Sequence, residues 1–229
     1  MKFIQKLIIG AAFFAVLGFF GGVSYFVVTH EKRHTLKKLV SDDGQIARVL
    51  FSSQDDVQST LINLIDTEKK RIRFAIYTMT DKEMANALIR AAKRGIVVEG
   101  IVDRSYGQSY SSTVHTLANA EMPIWVFQPK KRGQFQGIMH NKFCIFESTL
   151  DDRTLVWTGS YNFTASASLR NEENVVILDS PKVITAFSSY FEYLKKESLQ
   201  LSGKRLAHQQ PKGEKKETSF FERFLQLFA

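Results

Sequence analysis

Between Met139 and Asn174 the chain places imidazole, ammonium, hydroxyl, amide and carboxylate groups beside short apolar runs: MHNKFCIFE, then TGSYNF, then RNEEN. His140 and Lys142 are two residues apart, so on a strand their side chains leave the same face, with Cys144 and Phe146 following on it. An imidazole and an ammonium placed this way can meet one anion. The imidazole can attack a phosphorus centre or move a proton, while the ammonium neutralises phosphate oxygens. Gly159, Ser160 and Asn162 follow a second apolar run, where a glycine lets backbone approach a ligand and the hydroxyl and amide can donate to phosphate oxygens. Glu173 can accept from the second ring nitrogen of His140 and fix its tautomer, as the carboxylate of a catalytic triad does. Each feature alone has an ordinary structural explanation: a satisfied strand histidine, a turn, a surface charge. The chemical reading rests on their ordered combination.

The elements that must hold these groups are legible from periodicity. Ala47–Phe51 reads as a first strand, and 55–70 carries Val57, Leu61, Leu64 and Ile65 at helical spacing. A strand over 71–77 and a helix over 82–94, capped by Gly95, follow; then come a β-branched strand over 96–102 and a helix around 111–119. After Pro123 a short strand, IWVF, leads into a polar loop from 128 to 137. Strands at 142–146, 155–158 and 174–178 and a helix from Pro181 to about Glu197 complete an α/β sandwich pattern.

The ordered residues resemble the HKD signature of the phospholipase D superfamily: His-x-Lys, four residues, Asp, then a downstream Gly-Ser-x-Asn. Here it stands as His140-Asn141-Lys142, then FCIF, then Glu147, followed by Gly159-Ser160-Tyr161-Asn162. Glu147 departs from the usual Asp, keeping the charge and adding one methylene. Asn171-Glu172-Glu173-Asn174 is similar to the Asn-x-Glu-Asn segment of single-motif members, and RGIVVEGIVD to their upstream strand; the likeness covers roughly 49–196. It implies a phospholipase D-like α/β/α sandwich with a mixed central sheet. It also implies a two-step transfer. One histidine attacks the phosphodiester and forms a phosphohistidine, and a second protonates the leaving oxygen and then activates water. Two motifs are needed, and the only other match, His30-Glu31-Lys32, has Lys37 where the acid should be and is read as chance. Single-motif members form symmetric dimers, so a homodimer completing the site is expected. The mechanism implies no cofactor and no metal. His30 and His34 have helical spacing but no third ligand, and His115 and His208 lack catalytic company. By resemblance, His140 is the nucleophile, Lys142 and Asn162 hold the nonbridging oxygens with Ser160 beside them, Glu173 orients His140, and Glu147 is the motif acid.

The chain of 229 residues, 44% hydrophobic, suffices for one globular domain with accessory segments. Residues 1–6 form a short tail, and 7–28 are 22 residues without charge, LIIGAAFFAVLGFFGGVSYFVV. That is about enough to cross a ~30 Å hydrocarbon core, so one N-terminal transmembrane helix is expected to precede the domain. The run exceeds a signal-peptide core and no Ala-x-Ala site follows, which favours an uncleaved anchor over a cleaved signal. Lys2 and Lys6 on one side and Lys32, Arg33, Lys37 and Lys38 on the other leave orientation open. A single-pass membrane protein is expected, in a bacterial inner membrane, or a secreted or periplasmic one if the segment is cleaved. A connector (29–46), the catalytic domain (47–198) and a basic linker (199–218) follow; the Phe-rich 219–229 can form an amphipathic helix. One cysteine, Cys144, excludes an intramolecular disulfide and a cysteine-cluster zinc site.

Thirty-one Lys and Arg against 23 Asp and Glu give a net charge of +8, which favours a polyanion, either nucleic acid or anionic lipid. Lys130, Lys131 and Arg132 lie shortly before His140 and can rim the site mouth. The leading reading is a nonspecific endonuclease on DNA or RNA. The alternative is a phospholipase D acting on phosphatidylcholine or cardiolipin. A membrane-tethered binding scaffold with a decayed site stays open as a third class.

Overall fold

The structure, a computed structural model, describes residues 46–201 apart from 108, 110–111 and 133–134 and the side chains of 131–136. The expected membrane span, the His30-Glu31-Lys32 match, His34, His208 and the Phe-rich segment lie outside the described residues. No helix among the described residues is long and apolar enough to cross a membrane.

The core of the molecule is one eight-stranded mixed sheet. In chain order its strands are β1 (Ala47–Phe51), β2 (Arg71–Ile76), β3 (Val97–Val102), β4 (Ile124–Phe127), β7 (Lys142–Thr149), β8 (Arg153–Gly159), β9 (Asn174–Leu178) and β10 (Ser198–Gln200). Their spatial order is β1-β9-β8-β7-β2-β3-β4-β10. β2, β3 and β4 run parallel, and the remaining neighbours are antiparallel. The helices are α1 (Val57–Thr67), α2 (Lys82–Lys93), α3 (Arg104–Gly107), α4 (Val114–Asn119), α5 (Ala165–Leu169) and α6 (Pro181–Lys196).

Alternation along the strands sorts the apolar side chains into two layers. Ile72, Phe74 and Ile76 of β2, Cys144 and Phe146 of β7, and Leu155 and Trp157 of β8 face α1, α2 and α4, burying Leu61, Leu64, Ile65, Met84, Leu88 and Leu117. Ala75, Ile101, Phe143, Ile145 and Val156 face the other way, onto Phe191 and Leu194 of α6. The central strands are therefore covered on both sides, as the expected α/β/α sandwich requires.

Local chemistry sets the helix ends, at Gly95 as read and at two aspartates the sequence reading did not single out. Asp56 caps α1 by accepting from the Ser59 N–H at 2.9 Å, and Asp81 caps α2 through the Glu83 and Met84 N–H groups. Gly95 ends α2 at φ +87°, a conformation that costs glycine nothing. Four features escaped the sequence reading, the first being the short helix α3 directly after β3. The loop 128–137 contains a two-residue hairpin, β5 (Lys131–Arg132) with β6 (Phe135–Gln136), too short to leave a period. α5 occupies the turn after Asn162. β10 adds an edge strand beside β4, at Leu199↔Val126, where composition marked only a polar linker.

Candidate active site

Register creates the site. Ile76 of β2 pairs with Lys142 of β7, so the chain leaving β2 meets the chain entering β7, and the Tyr77 N–H donates to the Asn141 carbonyl at 2.9 Å. At the same end, Gly159 of β8 pairs with Val175 of β9, and the Ser160 N–H donates to the Asn174 carbonyl at 3.0 Å. A Cβ at Gly159 would collide with the Asn174 carbonyl oxygen, so only glycine permits this approach. The three polar segments thus converge on one end of four adjacent strands.

Lys142 heads the buried row Lys142–Cys144–Phe146 and is itself only 7% exposed. Its Nζ donates to the His140 carbonyl at 2.8 Å and lies 3.1 Å from His140 Nδ1. An ammonium has donors only, so Nδ1 accepts and the ring proton of the neutral imidazole sits on Nε2. Burial lowers the Lys142 pKa below the usual lysine value, and the Glu173 carboxylate opposes that shift. The imidazole is exposed on its other side. Its ring lies 4.5 Å from the ring of Tyr77, and the ring of Tyr77 meets Tyr106 edge-on at 5.2 Å.

The second half of the site is a polar brace. Asn162 Oδ1 accepts from the Thr78 N–H at 3.2 Å, which fixes the amide and points its Nδ2 donors elsewhere. The Ser160 hydroxyl donates to Glu173 Oε2 and accepts from the Asn174 N–H. Asn171 Nδ2 donates to Glu173 Oε1 at 2.9 Å, and Ser52, just past β1, holds Glu173 through its N–H.

The structure brings His140, Lys142, Ser160, Asn162 and Glu173 to one strand-end cluster, with two departures in detail. Glu173 is bonded to Ser160 and Asn171 and not to His140, whose Nδ1 faces Lys142 instead. The Ser160 hydroxyl, expected on a phosphate oxygen, is committed to that brace. Glu147 lies apart from the cluster. It is five residues along β7 from Lys142, roughly 16 Å at strand rise, and its odd position turns it to the α6 face. There it pairs with Arg73 at 3.3 Å and Arg71 at 3.5 Å. Lys130 pairs with Glu197 at 2.8 Å, an interaction that raises its pKa. His115 lies on α4, its Nδ1 without a hydrogen-bond partner among the described residues.

Tyr77 and Asp103 were missed. Asp103, 1% exposed, accepts from the Met139 N–H at 2.7 Å and from Ser105, so it anchors the peptide entering His140. The available signal was position: both residues directly follow parallel strands, at the carboxyl ends where open α/β sheets bind ligands.

Residues 61–195, more than half of the chain, match the family described as "Cardiolipin synthase, PLD-like domain". The chain belongs to the phospholipase D superfamily. Within this family it is 35% identical over 127 residues to "Phospholipase D" of Rickettsia felis, covering 56% of this chain and 58% of that protein. It is 29% identical over 140 residues to "Mitochondrial cardiolipin hydrolase" of Xenopus tropicalis, covering 61% of each. The chain therefore spans about three fifths of the length of these curated relatives. Among solved structures it is similar to the phospholipase D family member Nuc from Salmonella typhimurium, with TM-score 0.59 and 27% identity, covering 69% of this chain and 99% of that one.

Proposed function

We propose that the protein hydrolyses phosphodiester bonds through a covalent phosphohistidine on His140, as a homodimer, with DNA or RNA as substrate. The observation that carries this reading is a buried lysine ammonium 3.1 Å from an exposed imidazole, beside a fixed amide and a braced carboxylate. Nε2 of His140 attacks phosphorus as the bond to the leaving oxygen breaks. The same histidine of the second protomer gives that oxygen its proton, then takes one from the water that cleaves the N–P bond. Attack through Nε2 requires the ring proton on Nδ1. Lys142 must then leave Nδ1 for a phosphate oxygen, and Glu173 can accept the Nδ1 proton's hydrogen bond. Lys142 and Asn162 Nδ2 hold the nonbridging oxygens.

The net charge of +8 and the aromatic ring of Tyr77 beside His140, with Tyr106 against it, favour a nucleic acid. The second reading, a phospholipase D on phosphatidylcholine or cardiolipin, draws on the relatives named above, on Ile138 exposed two residues from His140, and on the apolar 7–28 segment as a membrane anchor. The test uses the full-length chain, wild type and His140→Ala, without added metal, against single-stranded DNA, RNA, phosphatidylcholine and cardiolipin. Nucleic-acid cleavage that disappears in the variant is the expected result. Head-group release from lipid alone moves the assignment to phospholipase, and no turnover of any substrate leaves a binding scaffold.

A further inference from the structure

We propose that Tyr77 is a positioning residue for the reaction: its ring face holds the Lys142 ammonium, as a cation, beside His140 until a phosphate oxygen takes it over. This inference rests on the phosphodiesterase reading above. Tyr77 touches the motif three ways. Its N–H fixes the Asn141 carbonyl at 2.9 Å, its ring lies against the His140 ring at 4.5 Å, and Lys142 Nζ stands 5.3 Å from its centroid.

Lys142 spends two donors on His140, through the carbonyl and Nδ1. On the Tyr77 side it meets a π face, which attracts a cation without supplying a hydrogen-bond acceptor. A carboxylate in that position would form an ion pair that each arriving phosphate would have to displace. The carboxylate that acts on Lys142, Glu173, is instead occupied by Ser160 and Asn171. The ring therefore offsets part of the burial penalty on the ammonium and leaves it free to move. Tyr106 packs edge-on behind Tyr77 and keeps the ring in place. Burial first, then Tyr106 and Asp103, raise the Tyr77 pKa, so the phenol stays neutral and its hydroxyl is not the working group. The groups facing Lys142 are thus His140 from its own segment, Tyr77 from the end of β2 and Glu173 from the start of β9, with Tyr106 and Asp103 behind Tyr77.

Lysine is cationic below its pKa, so activity that needs the ammonium falls as pH rises through that value. Removing the ring lowers the value further and moves this basic limb to lower pH. The experiment measures kcat/KM against pH for the full-length wild type, Tyr77→Phe and Tyr77→Leu. The probe is bis(4-nitrophenyl) phosphate, a phosphodiester that is neither nucleic acid nor lipid. Tyr77→Met replaces the leucine variant if that one does not fold. Tyr77→Phe should stay within about twofold of wild type, whereas Tyr77→Leu should lose about tenfold with its basic limb displaced to lower pH. A parallel titration of the Lys142 amine by nitrogen NMR should show the same displacement in Tyr77→Leu alone. Loss in Tyr77→Phe equal to that in Tyr77→Leu would overturn the proposal in favour of the hydroxyl. A leucine variant with an unmoved basic limb and an unmoved Lys142 titration would also overturn it. If wild type turns over no phosphodiester, the functional reading fails, and the Lys142 titration still decides the role of the ring.

Discussion

In the proposed reaction Asn162 separates holding a fold from holding a substrate within one side chain. Its Oδ1 accepts from the Thr78 N–H, and its Nδ2 is the group proposed to meet a phosphate oxygen. Asn162→Asp keeps an acceptor for Thr78 but removes the donor and sets a negative charge against the phosphate. Its thermal midpoint should stay close to wild type, while kcat should fall by roughly 10²–10³, the usual effect of losing one charge-stabilising donor. A matching fall in stability would instead make Asn162 a structural cap. Lys142 shows why such a site needs burial. The same desolvation that lowers its pKa also strengthens its attraction for a phosphate once water is excluded.

At the scale of elements, the motif acid ties two strands together through an arginine that also reaches a helix. Arg73 of β2, 11% exposed, is held by Glu147 of β7 at 3.3 Å, by Glu192 of α6 at 3.6 Å and by the Ser188 hydroxyl at 3.2 Å. Its guanidinium also lies over the Phe191 ring. A carboxylate at 147 thus ties β7 to β2 on the face away from His140, where Arg73 in turn reaches α6, and Glu147 meets both Arg71 and Arg73. Glu147 is nearly a third exposed, so Glu147→Gln should cost about 1–2 kcal/mol, between exposed and buried ion pairs, and lower Tm by roughly 3–6 °C. Turnover should remain within about twofold of wild type. An unchanged Tm with lost turnover would return Glu147 to the chemistry.

For the whole molecule, the described residues of one chain carry one His-x-Lys, at the strand ends, and the proposed reaction needs two histidines. Wild type and His140→Ala chains produced together in equal amounts should give about one quarter of wild-type activity per chain, since only wild-type pairs hold both histidines. Independent protomers would give about one half, and that result would dismiss the shared site. The same arithmetic holds for any phosphodiester substrate, so this measurement does not depend on the choice between nucleic acid and lipid.

Local chemistry by itself determined the identity of the reactive groups, the period of most strands and helices, and the cap at Gly95, because each depends on residues a few positions apart. The strand runs on to Thr149, past the 142–146 read from the sequence, and this extension puts Glu147 on the face of β7 opposite Lys142. Tertiary structure alone decided what those groups meet. Tyr77 reaches Asn141, Asp103 reaches Met139 across 36 positions, and Ser52 braces Glu173 across 121. These contacts exist only once β2 pairs with β7 and β1 pairs with β9, and pairing between distant strands leaves no period in the chain. The hairpin β5–β6 and the edge strand β10 were hidden for the same reason, since two or three residues become strands through the neighbours they pair with.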